Sequence, residues 1–214
     1  VALRDGAKGV HYLHAEQQLK EFPTRMADRL QHWASAAPER SFMARRVRLA
    51  DGSTGDWRHV SYAQAWTTAR NIAQGLINRG LSAEKPVVIL SENDLEHALL
   101  ALGCMMAGVP CVPTSPPYSL ISQDFDKLKH VLRTVTPGMV FAADERYARA
   151  IQATVAADCE VLMTSGQVDG RSVTAFADLA ATPASSAVDA AMQATGPDTI
   201  VKFLFTSGST KMPK

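Results

Sequence analysis

An excess of charge of one sign is the first thing this chain lacks. Its 214 residues carry 22 Lys plus Arg against 21 Asp plus Glu, a net charge of +1. No electrostatic surplus draws such a chain onto nucleic acid or an anionic membrane, so neither is an expected partner. Long apolar runs are missing too. The longest stretch free of charged residues and His lies between His97 and Asp124. It is broken by Gly103, Gly108 and Pro110 and ends in the Pro-rich Pro113–Ser119, whereas a membrane span needs about 20 continuous apolar residues. Cysteine is scarce. Cys104, Cys111 and Cys159 are odd in number and show no C-x-x-C spacing, which argues against a disulfide framework or a zinc site. The first residues carry Arg4, Asp5 and Lys8 with no apolar core, so no secretory signal is read. A reducing, cytoplasmic setting is the expectation.

Catalytic and metal constellations are equally thin. His11 and His14, three apart, could meet on a helix, but no carboxylate or Cys completes a ligand set, and no metal site is expected. His97 reads as a helix-terminal residue, and His32, His59 and His130 read as surface or helix-face residues. Trp33, Trp57 and Trp66 read as packing anchors, and Met105-Met106 as core filling. Tyr118, beside Pro116-Pro117, is an outside candidate for a place near a site. No Ser-His-Asp set, no paired carboxylates, no G-x-x-x-x-G-K-[ST] and no G-x-G-x-x-G can be traced.

What is present is the balance of a globular protein, 46% apolar and 20% charged, with a clear rhythm. Thr24 is placed to cap a helix carrying Met26, Leu30 and Trp33, closed by Pro38. Phe42–Leu49 and Trp57–Val60, joined by turn chemistry from Asp51 to Asp56, predict a hairpin. Ser61 caps a long amphipathic helix that ends before Gly80. Then Pro86–Leu90 predicts a strand buried on both faces, and Asp94 caps a helix over Leu95–Ala107. Val109–Val112 is the next strand, and Ser122 caps a helix through Val135. Met139–Ala142, a helix after Asp144 and Val161–Met163 follow, and the Ala-rich Ala177–Ala194 reads as a loose linker. Thr199–Phe205 carries the strongest strand signal. Alternation of this kind predicts an α/β fold, a mostly parallel sheet flanked by helices. The expected organisation is an N-terminal segment (1–23), an α/β subdomain (24–176), a loose connection (177–198), and a strand plus phosphate-binding loop (199–214) that opens a truncated remainder.

That last strand runs into Thr206-Ser207-Gly208-Ser209-Thr210-Lys211-Met212-Pro213-Lys214. Glycine lets backbone N–H groups turn inward as an anion nest, hydroxyls donate further hydrogen bonds, and Lys adds a point charge. On composition alone a Ser/Thr-rich surface turn is an equal reading. The spacing resembles T-S-G-[ST]-T-G-x-P-K, the phosphate-binding signature of the adenylate-forming superfamily of acyl-CoA synthetases, luciferases and peptide synthetase adenylation domains. Thr206, Ser207, Gly208, Ser209, Thr210, Pro213 and Lys214 match, Met212 fills the variable place, and Lys211 departs where the second Gly usually stands. Feruloyl-CoA synthetases and their relatives carry Lys there, so the resemblance is nearest to them. Ile89–Ala101 and Ala107–Leu120 resemble the corresponding stretches of the same group.

The resemblance implies the N-terminal portion of the large domain of an adenylate-forming enzyme. It implies an AMP-forming acid–thiol ligase that uses ATP, Mg and coenzyme A to activate a carboxylic acid, ferulate or a related hydroxycinnamate. By position Thr206, Ser207, Gly208, Ser209, Thr210 and Lys214 inherit contacts with the β- and γ-phosphates. The catalytic Lys, the ribose-binding Asp and the acyl pocket are implied downstream of Lys214, so the 214-residue chain alone is expected to be inactive. Another aryl- or fatty-acyl-CoA synthetase, or a non-catalytic α/β scaffold, stays open.

Overall fold

The computed structural model describes residues 1–49, 51–206 and 212–214. Strands β1 (Ala2–Asp5) and β2 (His11–His14) pair as an antiparallel hairpin. No period is legible there because no residue of either strand is buried. His11 and His14 thus lie on a strand, where a spacing of three sends side chains to opposite faces. Helix α1 (Met26–Ala36) begins after Arg25 rather than Thr24 and has no side-chain cap. Arg25 instead donates to Asp28 at 3.0 Å and to the Met192 carbonyl at 2.9 Å, tying the helix start to a distant segment. The expected hairpin is present as β3 (Ser41–Arg48) and β4 (Thr54–Ser61).

Ser61 caps α2 (Tyr62–Asn78) through a full capping box. Its hydroxyl accepts from the Gln64 N–H at 3.2 Å, and Gln64 Oε1 accepts from the Ser61 N–H at 2.9 Å. After β5 (Val87–Leu90), Asp94 caps α3 (Leu95–Ala107) as its position predicts, accepting from the Leu95 N–H at 2.7 Å. Gly108 closes that helix at φ +68. At Gly103 a Cβ would lie 2.4 Å from Ile72 Cγ2, so its absence lets α3 close onto α2.

Strand β6 (Cys111–Pro113) is followed by the short α4 (Pro117–Leu120) and by α5 (Asp126–Val135). Ser122 does not cap α5. Its hydroxyl accepts from the Phe125 N–H at 3.0 Å inside the preceding turn, and Phe125, at φ +56, holds the cap position. Next come β7 (Met139–Ala142), a 3-10 turn capped by Asp144, α6 (Ala148–Thr154), β8 (Glu160–Met163) and β9 (Thr174–Ala175).

The Ala-rich segment expected to be loose folds instead as α7 (Phe176–Ala180) and α8 (Ser186–Ala194). Alanine is the best helix former, Ser185 caps α8, and Val188 and Met192 are buried. Side chains of α2 stitch the connection down. Asn71 donates to the Ala180 carbonyl at 3.0 Å, and Gln74 Oε1 accepts from Ser185 N and Oγ at 2.9 and 2.7 Å. The expected strand over Thr199–Phe205 reduces to a single parallel bridge between Cys111 and Lys202. Its ladder consists of Cys111 N–H to Val201 O and Phe203 N–H to Cys111 O, each 3.1 Å. The neighbour, β6, is three residues long and offers no more.

The main sheet is wholly parallel, in the order β6-β5-β7-β8-β9. Alternate residues supply two cores. Val87, Ile89, Met139, Phe141 and Leu162 face α1, α2, α3, α7 and α8. Val88, Leu90, Val140, Ala142, Val161 and Met163 face α5 and α6. Both faces being covered explains the continuous apolar strands.

Candidate functional site

In a parallel α/β sheet, loops after the strand C-termini form the ligand-binding edge, above all where the strand order reverses. The chain leaves β5 for β6 on one side and returns to β7 on the other, so the reversal lies between β5 and β7. The segment after α8 runs parallel to β6, and Thr206 therefore leaves the sheet at this same edge.

Of the sequence-predicted phosphate residues, Thr206 and Lys214 are described, and Ser207, Gly208, Ser209 and Thr210 lie outside the described residues, as does Lys211. Thr206 and Lys214 meet. The Thr206 N–H and hydroxyl donate to the main-chain oxygen of Lys214 at 2.9 and 3.2 Å, fastening the two ends of the loop. Among the described residues the Lys214 ammonium has no partner, and its side chain is exposed. Thr206 thus directs both its N–H and its hydroxyl proton to the neck of the loop.

The neck rests on a built seat. Phe203 and Phe205 pack against the second core, Pro213 is buried, and Nε2 of His130 on α5 donates to the Pro213 carbonyl at 2.9 Å. The Phe205 ring meets His130 edge-on at 6.4 Å. His130 is half-buried against the loop, not a free surface residue. Sequence gave no signal for it, since the contact spans 83 positions.

A second cluster sits at the β5/β7 reversal, around a cavity of about 200 Å³. Arg45 and Arg58, directly opposite each other on β3 and β4, would repel. They reach instead to Asp94 and Glu96 at the start of α3. Arg146 bridges Asp144 at 2.8 Å and Glu92 at 3.2 Å. The Arg146 guanidinium holds the Asp144 carboxyl below its usual range, and Arg146 is itself raised by Asp144. Every cation there is paired, three guanidiniums against four carboxylates, so the cluster is an ion-paired brace between the hairpin and the sheet. On the same edge the Ser91 hydroxyl and His97 Nδ1 share a 2.8 Å hydrogen bond. Burial pushes the His97 imidazole below its ordinary value, with the charge of Lys202 acting in the same direction. Tyr118 packs on the second core under the Lys127 ammonium, 5.4 Å from its ring.

With this geometry in view, the family model for AMP-binding enzymes matches residues 30–214, most of the chain. The chain belongs to the AMP-binding enzyme family. It is 37% identical over 65 residues to fatty acyl-CoA synthetase A of Dictyostelium discoideum, covering 30% of this chain and 10% of that protein. Its fold is shared with a fatty acyl-adenylate ligase from L. pneumophila, solved with acyl adenylate and pyrophosphate. There the TM-score is 0.60 at 20% identity, over 89% of this chain and 29% of the ligase. A luciferase-like enzyme from the mealworm Zophobas morio gives a TM-score of 0.58 at 18% identity, over 88% of this chain and 40% of that one. The chain spans less than half the length of each. Among the described residues no helix is long and apolar enough to cross a membrane.

Proposed function

We propose that this chain contributes the phosphate-binding wall of an AMP-forming acid–thiol ligase longer than the chain itself. The single observation that carries the reading is the Thr206–Lys214 segment. It has the spacing of a phosphate loop, belongs to a matched AMP-binding family region, and is fastened at its neck on the ligand edge of a parallel sheet. In the proposed reaction a carboxylate oxygen attacks the α-phosphorus of ATP, the bond to the bridging oxygen breaks, and pyrophosphate leaves. The thiol of coenzyme A then attacks the acyl-adenylate carbonyl, and AMP departs. The protein's part in the first step is positioning and neutralisation of charge. Ser207, Gly208, Ser209, Thr210 and Lys214 would face the β- and γ-phosphates, with Thr206 closing the loop behind them. Mg would accompany the nucleotide as a co-substrate ion.

For the acid, ferulate or a related hydroxycinnamate is proposed from Lys211 and the flanking segments. A fatty acid is the second reading, supported by the likeness to a fatty acyl-CoA synthetase. ATP–pyrophosphate exchange by the full-length ligase decides both levels. Exchange driven by ferulate and not by dodecanoate supports the first acid, the reverse supports the second, and none with any acid of a broad panel removes the ligase reading.

A further inference from the structure

One well-formed groove lies away from the Thr206–Lys214 segment. It measures about 600 Å³ and opens on the opposite, N-terminal edge of the sheet, where Gly138 leads into β7, Cys159 leads into β8, and α2, α5 and α6 end. With strands of four residues rising about 3.3 Å each, the two edges stand roughly 13 Å apart. The volume suits a small molecule, since ligand pockets commonly measure about 300–1,000 Å³.

Its lining is amphipathic and one-signed. Arg79, Lys85, Lys129 and Arg133 contribute cations against the lone carboxylate of Asp158, and Leu81, Leu132 and Val155 form an apolar floor. Two of the cations are already committed. Arg79 binds Glu160 at 2.8 Å and Lys129 meets Asp126 at 3.5 Å. The side chains of Lys85 and Arg133 have no hydrogen-bond or ion-pair partner among the described residues, although both border the groove and both residues are exposed. The wall between them is held in an uncommon conformation. Thr136, β-branched and followed by Pro137, sits at φ +44, ψ +64, a region such a residue rarely enters. Strain of this kind persists where the surrounding structure imposes it, and it collects at functional sites.

We propose that this groove is a second binding site, for a small anionic amphiphile. A phosphate or carboxylate head would lie between Lys85 and Arg133, and an apolar body on the Leu81–Leu132–Val155 floor. The head gains two unpaired cations, one a guanidinium able to bind two oxygens at once, and the body removes apolar surface from water. Neither half suffices alone. The site is independent of the nucleotide reading and stands or falls separately from it.

The probe is 1-naphthyl phosphate, titrated into the protein by calorimetry at low salt beside 1-naphthol and inorganic phosphate. It is expected to bind at least about tenfold tighter than either half-molecule, a difference of about 1.4 kcal/mol. Lys85→Gln/Arg133→Gln should weaken it by about tenfold or more and flatten its salt dependence. Lys214→Ala, at the other edge, should leave it within about twofold. Occupancy should also slow N-ethylmaleimide labelling of Cys159, which borders the groove, whereas Cys104 and Cys111 are buried. Equal binding of the three probes, an unaffected double variant, loss of binding in Lys214→Ala or unprotected Cys159 would each overturn the proposal. So would a double variant that loses thermal stability without losing affinity, because the cations would then only neutralise helix C-termini.

Discussion

Two side chains on the ligand edge show how position sets chemistry. The exposed Lys214 ammonium has no partner among the described residues, while its main-chain oxygen is fixed by Thr206 at 2.9 Å. In the proposed ligase, negative charge grows on pyrophosphate as the α-phosphorus bond breaks. A cation aimed there is worth more in the transition state than in the ground state, and removing one such contact typically costs about 10²–10³ in rate. Lys214→Ala in the full-length enzyme should therefore depress ATP–pyrophosphate exchange by that order and spare transfer from pre-formed acyl-adenylate to coenzyme A. Lys211→Gly should do less, because the signature that the segment resembles has Gly at that position, with no side chain to contribute. Equal losses in both half-reactions for Lys214→Ala would refute the assignment. His97 makes a different prediction. Burial lowers its folded pKa from an ordinary 6.5, so below that pH the unfolded chain takes up a proton that the folded chain resists. Stability is therefore full above about 6.5 and declines as pH falls from there toward the folded value. His97→Gln keeps a partner for the Ser91 hydroxyl and removes the titration. Thermal midpoints between pH 7.5 and 5 should fall more steeply in the natural protein than in the variant, and parallel curves would contradict this.

At the scale of elements, legibility followed the number of local signals that agreed. Ser61 with Gln64, and Asp94 before an apolar stripe, state a helix start within a few residues, and both helices begin as read. The apolar strands β5 and β7 are legible because burial on both faces demands unbroken hydrophobicity. Where tertiary contacts decide, sequence misleads in both directions. The segment after Ala177 has few large apolar residues, Leu179, Val188 and Met192, and part of its order comes from Asn71 and Gln74 on α2, more than a hundred positions away. Thr199–Phe205 has the composition of a strand, yet Ile200, Val201 and Leu204 are 53%, 43% and 70% exposed, and one short neighbour gives it a single bridge. The proposed phosphate loop rests on spacing in the sequence, whereas the His130 contact with Pro213, 83 positions away, leaves no local signal. Gln74 tests the stitching. It is 7% exposed, and its amide oxygen accepts both Ser185 donors. Gln74→Ala would leave the exposed Ser185 N–H to water and should destabilise by about 0.5–1.5 kcal/mol. Hydrogen exchange should quicken first in α7 and α8. Unchanged exchange there would show that the connection is held by other means.

The molecule as a whole divides by burial into a body and an appendage. The body is one sheet between two helical layers, with α2 and α3 closed on each other through Gly103. Its central strands β5 and β7 are buried at every residue, so their amides should open only with the whole body. Residues 1–23 are the opposite case, since not one of them is buried. The β1–β2 hairpin satisfies its own backbone, and its side-chain bonds stay within the first sixteen residues. Val1 pairs with Glu16 at 3.1 Å and His11 with Asp5 at 2.6 Å, all of them well exposed. Exposed pairs of this kind contribute about 0–1 kcal/mol, and an isolated two-stranded hairpin is marginal in water. It follows that residues 1–16 add little to the stability of the rest. Deleting them should shift the thermal midpoint by less than about 2 °C, well under the roughly 2–4 °C expected per kcal/mol in a chain of this size. Before deletion, β1 and β2 amides should exchange orders of magnitude faster than those of β5 and β7. A deletion that lowers the midpoint by about 5 °C or more, or slow exchange in the hairpin, would mean that the N-terminal segment is part of the body.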